Sequence, residues 1–236
     1  PAKECPVWGG LQASPQALEG WTHEGLALAL LEQARAAYAV MIDSSKTPWR
    51  QALAPFRLRR DLGDRFMLVH LVRDPRAVAY SHSKVRPTLD AHRGQEMMHR
   101  SGPVRLSARW VGVNLVTDRV RARYGDARSV LLPYERFASS PRTTAEDLVR
   151  LGDVAPEPSP FTADDVVVLG TNHNVWGNRN RFVTGPVTVR PDDDWRREYP
   201  PSRRALVTSL CLPTLGRYGY SARWGASASE VVGAGS

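Results

Sequence analysis

The apolar and polar positions of this chain fall into alternating strand-like and helix-like stretches. "RFMLVHLV", residues 65–72, is the clearest strand, an apolar run of the kind found at the centre of a parallel sheet. Pro75 follows at a position suited to a first helical turn. "RSVLLPYERF", residues 128–137, reads as another strand with a turn beginning near Pro133, and "AVMID" as a shorter one ending at Asp43. Helical periodicity runs from Gly25 to Tyr38 and through "VRLSARWVGVNLVTDRVRARYG", which Gly125 closes. A basic amphipathic helix is expected from Thr47-Pro48 onward, one with proline at its start in "PRTTAEDLVRLGD", and a last one from Ser202 to Leu215.

Between these lie irregular stretches. "TLDAHRGQEMMHRSGP" reads as an exposed excursion, proline-rich "VAPEPSPF" as a surface loop, and "HNVWGNRNRF" as an ordered loop without a period. The alternation predicts an α/β fold, a parallel sheet flanked by helices. One domain is expected over residues 1–224, with "GASASEVVGAGS", residues 225–236, as a disordered tail.

Composition narrows the function classes. No stretch of about 18 apolar residues predicts a membrane span, and "PAKECPVWGG" shows no signal-peptide pattern. Cys5 and Cys211 suggest neither a disulfide framework nor a zinc pattern, so no metal is expected and the cytoplasm is the default compartment. A net charge of +8 suggests an anionic partner. Of 32 basic residues only Lys3, Lys46 and Lys84 are lysine, a bias that a GC-rich genome would also produce. A lysine kept in such a chain, Lys46 above all, draws notice.

The most informative stretch is "HLVRDPRAVAYSHSK", residues 70–84. Ligands of open parallel sheets bind beyond the carboxyl ends of the strands, where Arg73 falls. The helix starting near Pro75 offers free N–H groups, and an arginine fork above them suits a phosphate monoester. Ser81, two turns along, would reach the same ligand only if that ligand lay along the helix. The alternative is structural: Arg73 and Arg76 pair with Asp74 and cap the helix.

"VRDPRAVAYS" resembles the 3′-phosphate-binding segment of sulfotransferases that use 3′-phosphoadenosine 5′-phosphosulfate (PAPS). Other segments follow in the order of that family. "MIDSSKTPWR" resembles the Asp-Ser-Ser-Lys segment of its bacterial members, and "RWVGVN" the Trp-x-x-x-Asn helix. "LPYERFASSPRTTAEDLVRLGD" resembles the Tyr-Glu strand end with its helix, "HNVWGNRNRF" the late His…Gly-Asn-x-x-Arg loop, and "DDDWRREYP…LGRYGY" the closing segment.

The resemblance implies a P-loop-NTPase-like sulfotransferase fold and a sulfuryl transfer from PAPS, the co-substrate, to a hydroxyl or amine acceptor. That acceptor would be a small molecule, a glycan or a peptide. By resemblance Arg73 and Ser81 hold the 3′-phosphate and Tyr134 lies against the adenine. Asn178, Arg181 and His173 close over the nucleotide, and Lys46 stands at the transferring group as the catalytic residue. Trp110 and Asn114, one turn apart, are read as packing and helix–loop hydrogen bonding. Family members open with a strand and a Gly/Ser/Thr-rich loop that grips the 5′-phosphosulfate; the chain begins at "PAKECPVW", so the first βα unit is expected to be missing and turnover impaired. The alternative is a non-catalytic module binding a bisphosphate nucleotide or nucleic acid. Nucleic acid is not the expected partner, because the arginines are spread along the chain and no nucleic-acid-binding motif accompanies them.

Overall fold

The computed structural model describes residues 7, 22–35, 38, 40–43, 53–84, 87–90, 94–97, 101–125, 128–154, 158–170, 176–178 and 182–222. Its elements form a mixed α/β arrangement in which a short parallel pair of strands is flanked by helices.

The chain enters helix α1 (His23–Ala34) through Thr22, whose hydroxyl accepts the Gly25 N–H at 3.0 Å. Helix α2 (Ala54–Leu62) has proline in its first turn and Arg59 and Arg60 in its last, where cations suit the helix dipole. Strand β1 (Leu68–Val72) leads into helix α3 (Pro75–Ser83). An antiparallel hairpin of β2 (Pro87–Asp90) and β3 (Gly94–Met97) comes next. Helix α4 (Pro103–Tyr124), the longest at 22 residues, then ends at Gly125 with φ 72°, a left-handed value that glycine takes without strain. The chain returns as β4 (Ser129–Pro133), parallel to β1 in a register from Leu68↔Ser129 to Val72↔Pro133.

Helices α5 (Tyr134–Ser139) and α6 (Pro141–Leu151) follow directly. Strand β5 (Val166–Leu169) pairs antiparallel with β7 (Gly185–Thr188), and β6 (Trp176–Asn178) joins β2. A short α7 (Trp195–Glu198) and the long α8 (Pro201–Leu215) close the fold.

One apolar core holds these pieces together. Val72 of β1, Tyr80 of α3, Leu106 and Trp110 of α4, and Val207, Cys211 and Leu215 of α8 meet Trp195, Tyr199, Tyr218 and Tyr220 there. Helix α8 therefore packs across α3 and α4 on the same side of β1. Burial pushes the Cys211 thiol up from its ordinary value, so it behaves as a small apolar side chain.

Four expectations need correction. "AVMID" forms no strand: residues 40–43 have no regular structure, and Ile42 is 86% exposed. An apolar run becomes a strand only against a free edge, and no strand among the described residues pairs with it. The excursion after α3 is not irregular, because it contains the β2–β3 hairpin. Residues 176–178 of "HNVWGNRNRF" are likewise strand, drawn into pairing by β2 rather than by their own periodicity. Finally, β1 is not at the centre of a sheet among the described residues: it has one strand neighbour, β4, and its Leu71 stays 54% exposed. Residues 225–236 lie outside the described residues.

Leu215 is 1% exposed and Leu206, on the outer side of the same helix, is 40% exposed. Urea unfolding should show Leu215→Ala losing about 2–5 kcal/mol, against roughly 0.5 kcal/mol or less for Leu206→Ala. Equal losses would mean that α8 presents its other face to the core.

Candidate functional site

The register of the parallel pair builds the site. Val72 and Pro133 are partners, so the next residues, Arg73 and Tyr134, leave the carboxyl ends of adjacent strands side by side. The Arg73 guanidinium lies over the Tyr134 ring, 4.6 Å from its centre, a cation–π contact. Arg73 Nη2 donates to Asp192 Oδ2 at 2.9 Å and, more weakly, to the Asp192 carbonyl at 3.4 Å. Arg73 Nε is buried and has no hydrogen-bond partner among the described residues. Behind it, Trp110 Nε1 donates to the Arg73 carbonyl at 2.9 Å and fixes the backbone. Burial pushes the Tyr134 phenol up, and the nearby Arg73 charge opposes that shift.

Arg76 has a different role. Asp74 caps α3, its Oδ1 accepting the Arg76 N–H at 2.8 Å. The same carboxylate takes Arg76 Nε at 2.9 Å and Nη2 at 2.7 Å, a two-armed fork. Arg76 Nη2 also donates to the Ser221 carbonyl at 3.1 Å, and the guanidinium lies over Trp195. Both partners are buried. The Asp74 N–H donates to Glu135 Oε1 at 3.1 Å, and the Tyr220 hydroxyl donates to Glu135 Oε2 at 2.8 Å, also lying 3.0 Å from the Val72 carbonyl. Burial first, and Glu135 next, push the Tyr220 hydroxyl up, so it remains a donor.

The start of α3 is therefore not the open anion cradle expected of it. Its own Asp74 already takes the Arg76 N–H, and carboxylates rather than a vacancy face this end of the helix. The structural alternative holds for one of the two arginines. Arg76 pairs with Asp74; Arg73 does not, and turns toward Asp192.

A second polar cluster lies beneath the first. His70 Nε2 donates to Asn114 Oδ1 at 2.9 Å, since Asn114 Nδ2 is itself donating to the Trp110 carbonyl at 2.7 Å. His70 Nδ1 stands 3.4 Å from Asp118 Oδ1 without a hydrogen bond. Asp118 Oδ2 accepts from Arg217 and, at 3.0 Å, from the Tyr218 hydroxyl. Trp110 and Asn114 thus serve packing and positioning: Trp110 joins α4 to the turn where Arg73 leaves β1, and Asn114 joins it to His70 within β1.

The other expected site residues are placed as follows. Ser81 is half-buried on α3, six residues past Pro75 and so about 9 Å along the axis at the α-helical rise. Asn178 ends β6, paired with Thr88 of β2. Lys46, His173 and Arg181 lie outside the described residues. The structure brings Arg73 and Tyr134 together and adds Asp192, which sequence reading missed. An acidic run before Trp195 reads as a helix start, and Asp193 and Asp194 do pair with Arg196 and Arg197 of α7. Nothing local to the sequence sets Asp192 apart from them. Among the described residues no group of three or more His, Cys, Asp or Glu could hold a metal ion, and no helix is long and apolar enough to cross a membrane. Comparison of the chain with protein-family models, curated proteins and solved structures finds no match.

The two arginines should separate in a stability measurement. Asp74→Ala leaves Arg76 as an unpaired buried charge and should cost about 3–5 kcal/mol. Arg73→Ala removes a partly exposed pair, side chains 22% and 33% exposed, and should cost about 1 kcal/mol or less. Comparable losses in urea unfolding would contradict this division. Burial holds His70 below its ordinary value against the pull of Asn114 and Asp118. Its contribution to stability is then complete above the unfolded value of about 6.5 and declines as pH falls through it, because the unfolded chain takes up the proton first. An NMR titration should place the His70 midpoint below that of a free histidine; a midpoint above it would mean that Asp118 and Asn114 outweigh burial.

Proposed function

We propose that the chain binds a 3′-phosphorylated adenine nucleotide where β1 and β4 end, and that it is a PAPS-dependent sulfotransferase of the P-loop-type fold. One observation carries the reading. At the carboxyl ends of two adjacent parallel strands, one arginine is locked into the fold and the other is held by a single partly exposed carboxylate, with its Nε unbonded. A guanidinium with spare donors, braced on an aromatic ring, can grip a phosphate monoester with two parallel charge-assisted hydrogen bonds. The segments from "MIDSSKTPWR" to "LGRYGY" supply the rest of the argument, since their types and order resemble that family.

In this reading Arg73 takes the 3′-phosphate and Ser81 a more distant point along α3. Tyr134, one face of which is already under Arg73, offers its ring edge or other face to the adenine. Asn178, Arg181 and His173 cover the nucleotide. Lys46 stabilises the charge that develops as the acceptor oxygen or nitrogen displaces the bisphosphate from sulfur in line. A compact ammonium suits a site of crowded oxygens. No metal enters the proposed reaction. A residue to take the acceptor's proton is not assigned.

Titration calorimetry tests the reading. Adenosine 3′,5′-bisphosphate should bind more tightly than adenosine 5′-monophosphate, and Arg73→Ala should remove about 1.5–3 kcal/mol from the bisphosphate alone. Equal affinity for the two nucleotides in the wild-type protein would defeat the assignment.

A further inference from the structure

We propose that Asp192 is an internal counter-anion that occupies the phosphate seat of Arg73 in the empty protein and must be displaced for a nucleotide to bind. The inference rests on the reading of Arg73 as the 3′-phosphate ligand and concerns how that site is regulated. Three observations carry it.

The pair is incomplete. Asp192 Oδ2 meets Arg73 through Nη2 alone, whereas Arg76 beside it engages Asp74 through both Nε and Nη2. The buried Nε of Arg73 is left without a partner among the described residues. A phosphate monoester approaching that edge of the guanidinium can satisfy Nε and Nη2 together, which the carboxylate in this position does not. The exchange therefore ends with more hydrogen bonds than it began with.

The carboxylate is also free to leave. Its side chain is one-third exposed, so water can replace Arg73 as its partner. Asp192 lies in the irregular segment between β7 and α7 and belongs to neither element. Its neighbours are not interchangeable with it: Asp193 pairs with Arg196 at 3.1 Å and Asp194 with Arg197 at 3.2 Å, while Asp194 also starts α7. Among the described residues, the one ion pair of Asp192 is with Arg73.

Finally, Arg73 does not need Asp192 to hold its place. The Tyr134 ring supports the guanidinium and Trp110 holds the backbone carbonyl. A preorganised cation with a removable anion is a competitor arrangement: the carboxylate weakens every ligand that uses Arg73 by the same factor, and recaptures the arginine as the ligand leaves. Such a device slows nucleotide capture, because only the fraction of molecules with the seat vacated can bind.

The test is Asp192→Asn, which keeps size and shape but removes the charge, measured by calorimetry and stopped-flow association with adenosine 3′,5′-bisphosphate and adenosine 5′-monophosphate. The variant should bind the bisphosphate roughly 3- to 10-fold tighter, mostly through faster association, and the monophosphate unchanged. In an Arg73→Ala background the same substitution should have little effect, since no seat remains to compete for. Bisphosphate affinity that is unchanged or weaker in Asp192→Asn, while wild type still prefers bisphosphate to monophosphate, overturns the counter-anion and leaves the Arg73 assignment standing. Equal gain in the presence and absence of Arg73 also overturns it, pointing to general repulsion by an acidic segment. Loss of the wild-type preference itself overturns both.

Discussion

The arrangement at the strand ends depends on one carboxylate, Glu135. Its two oxygens accept from the Asp74 backbone and from the Tyr220 hydroxyl. It thereby joins the start of α5, the turn after β1 and the segment after α8, which are far apart in sequence. Arg76 closes the same knot from the other side by linking Asp74 to the Ser221 carbonyl. These groups are largely withdrawn from water, where an unpaired charge is expensive and a fully bonded one specifies a single geometry. The backbone direction at Arg73 follows from that geometry.

Two arginines three residues apart thus do opposite things for a physical reason. Arg76 begins a helix whose cap is Asp74, so its side chain folds back onto that cap and is buried. Arg73 lies just before the cap, outside the helix, and its side chain runs along the open ends of the strands to Tyr134. Arg73 is a cation held on an aromatic face, backed by Trp110 and met by the Asp192 carboxylate through one nitrogen. The proposed nucleotide site uses that cation. The proposed sulfuryl transfer needs, in addition, Lys46 and the covering segment around Arg181.

Much of this architecture is visible in the residues. Prolines at the starts of α3, α4 and α6 and Gly125 at the end of α4 mark boundaries because their backbones permit little else. The apolar runs of β1 and β4 and the helices between them imply a parallel pair. What the sequence hides is pairing that depends on a partner. "AVMID" has the composition of a strand yet pairs with no strand among the described residues, and "WGN" becomes a strand only because β2 accepts it. The same holds at the site. Arg73 and Tyr134 are legible because each follows a strand directly, whereas Asp192 meets Arg73 across 119 positions through tertiary folding alone. Glu135 could be noted as part of a Tyr-Glu pair, yet its link to Tyr220 appears only when the chain end folds back.

The central claim is that Arg73 is the exchangeable cation and Arg76 the fixed one. A crystal structure of the protein with adenosine 3′,5′-bisphosphate tests it most directly. The account predicts a phosphate on Nε and Nη2 of Arg73, Asp192 turned away into solvent, and the Arg76–Asp74 fork unchanged. A nucleotide bound elsewhere with the Arg73–Asp192 pair intact, or a phosphate held by Arg76 with Asp74 displaced, would contradict it.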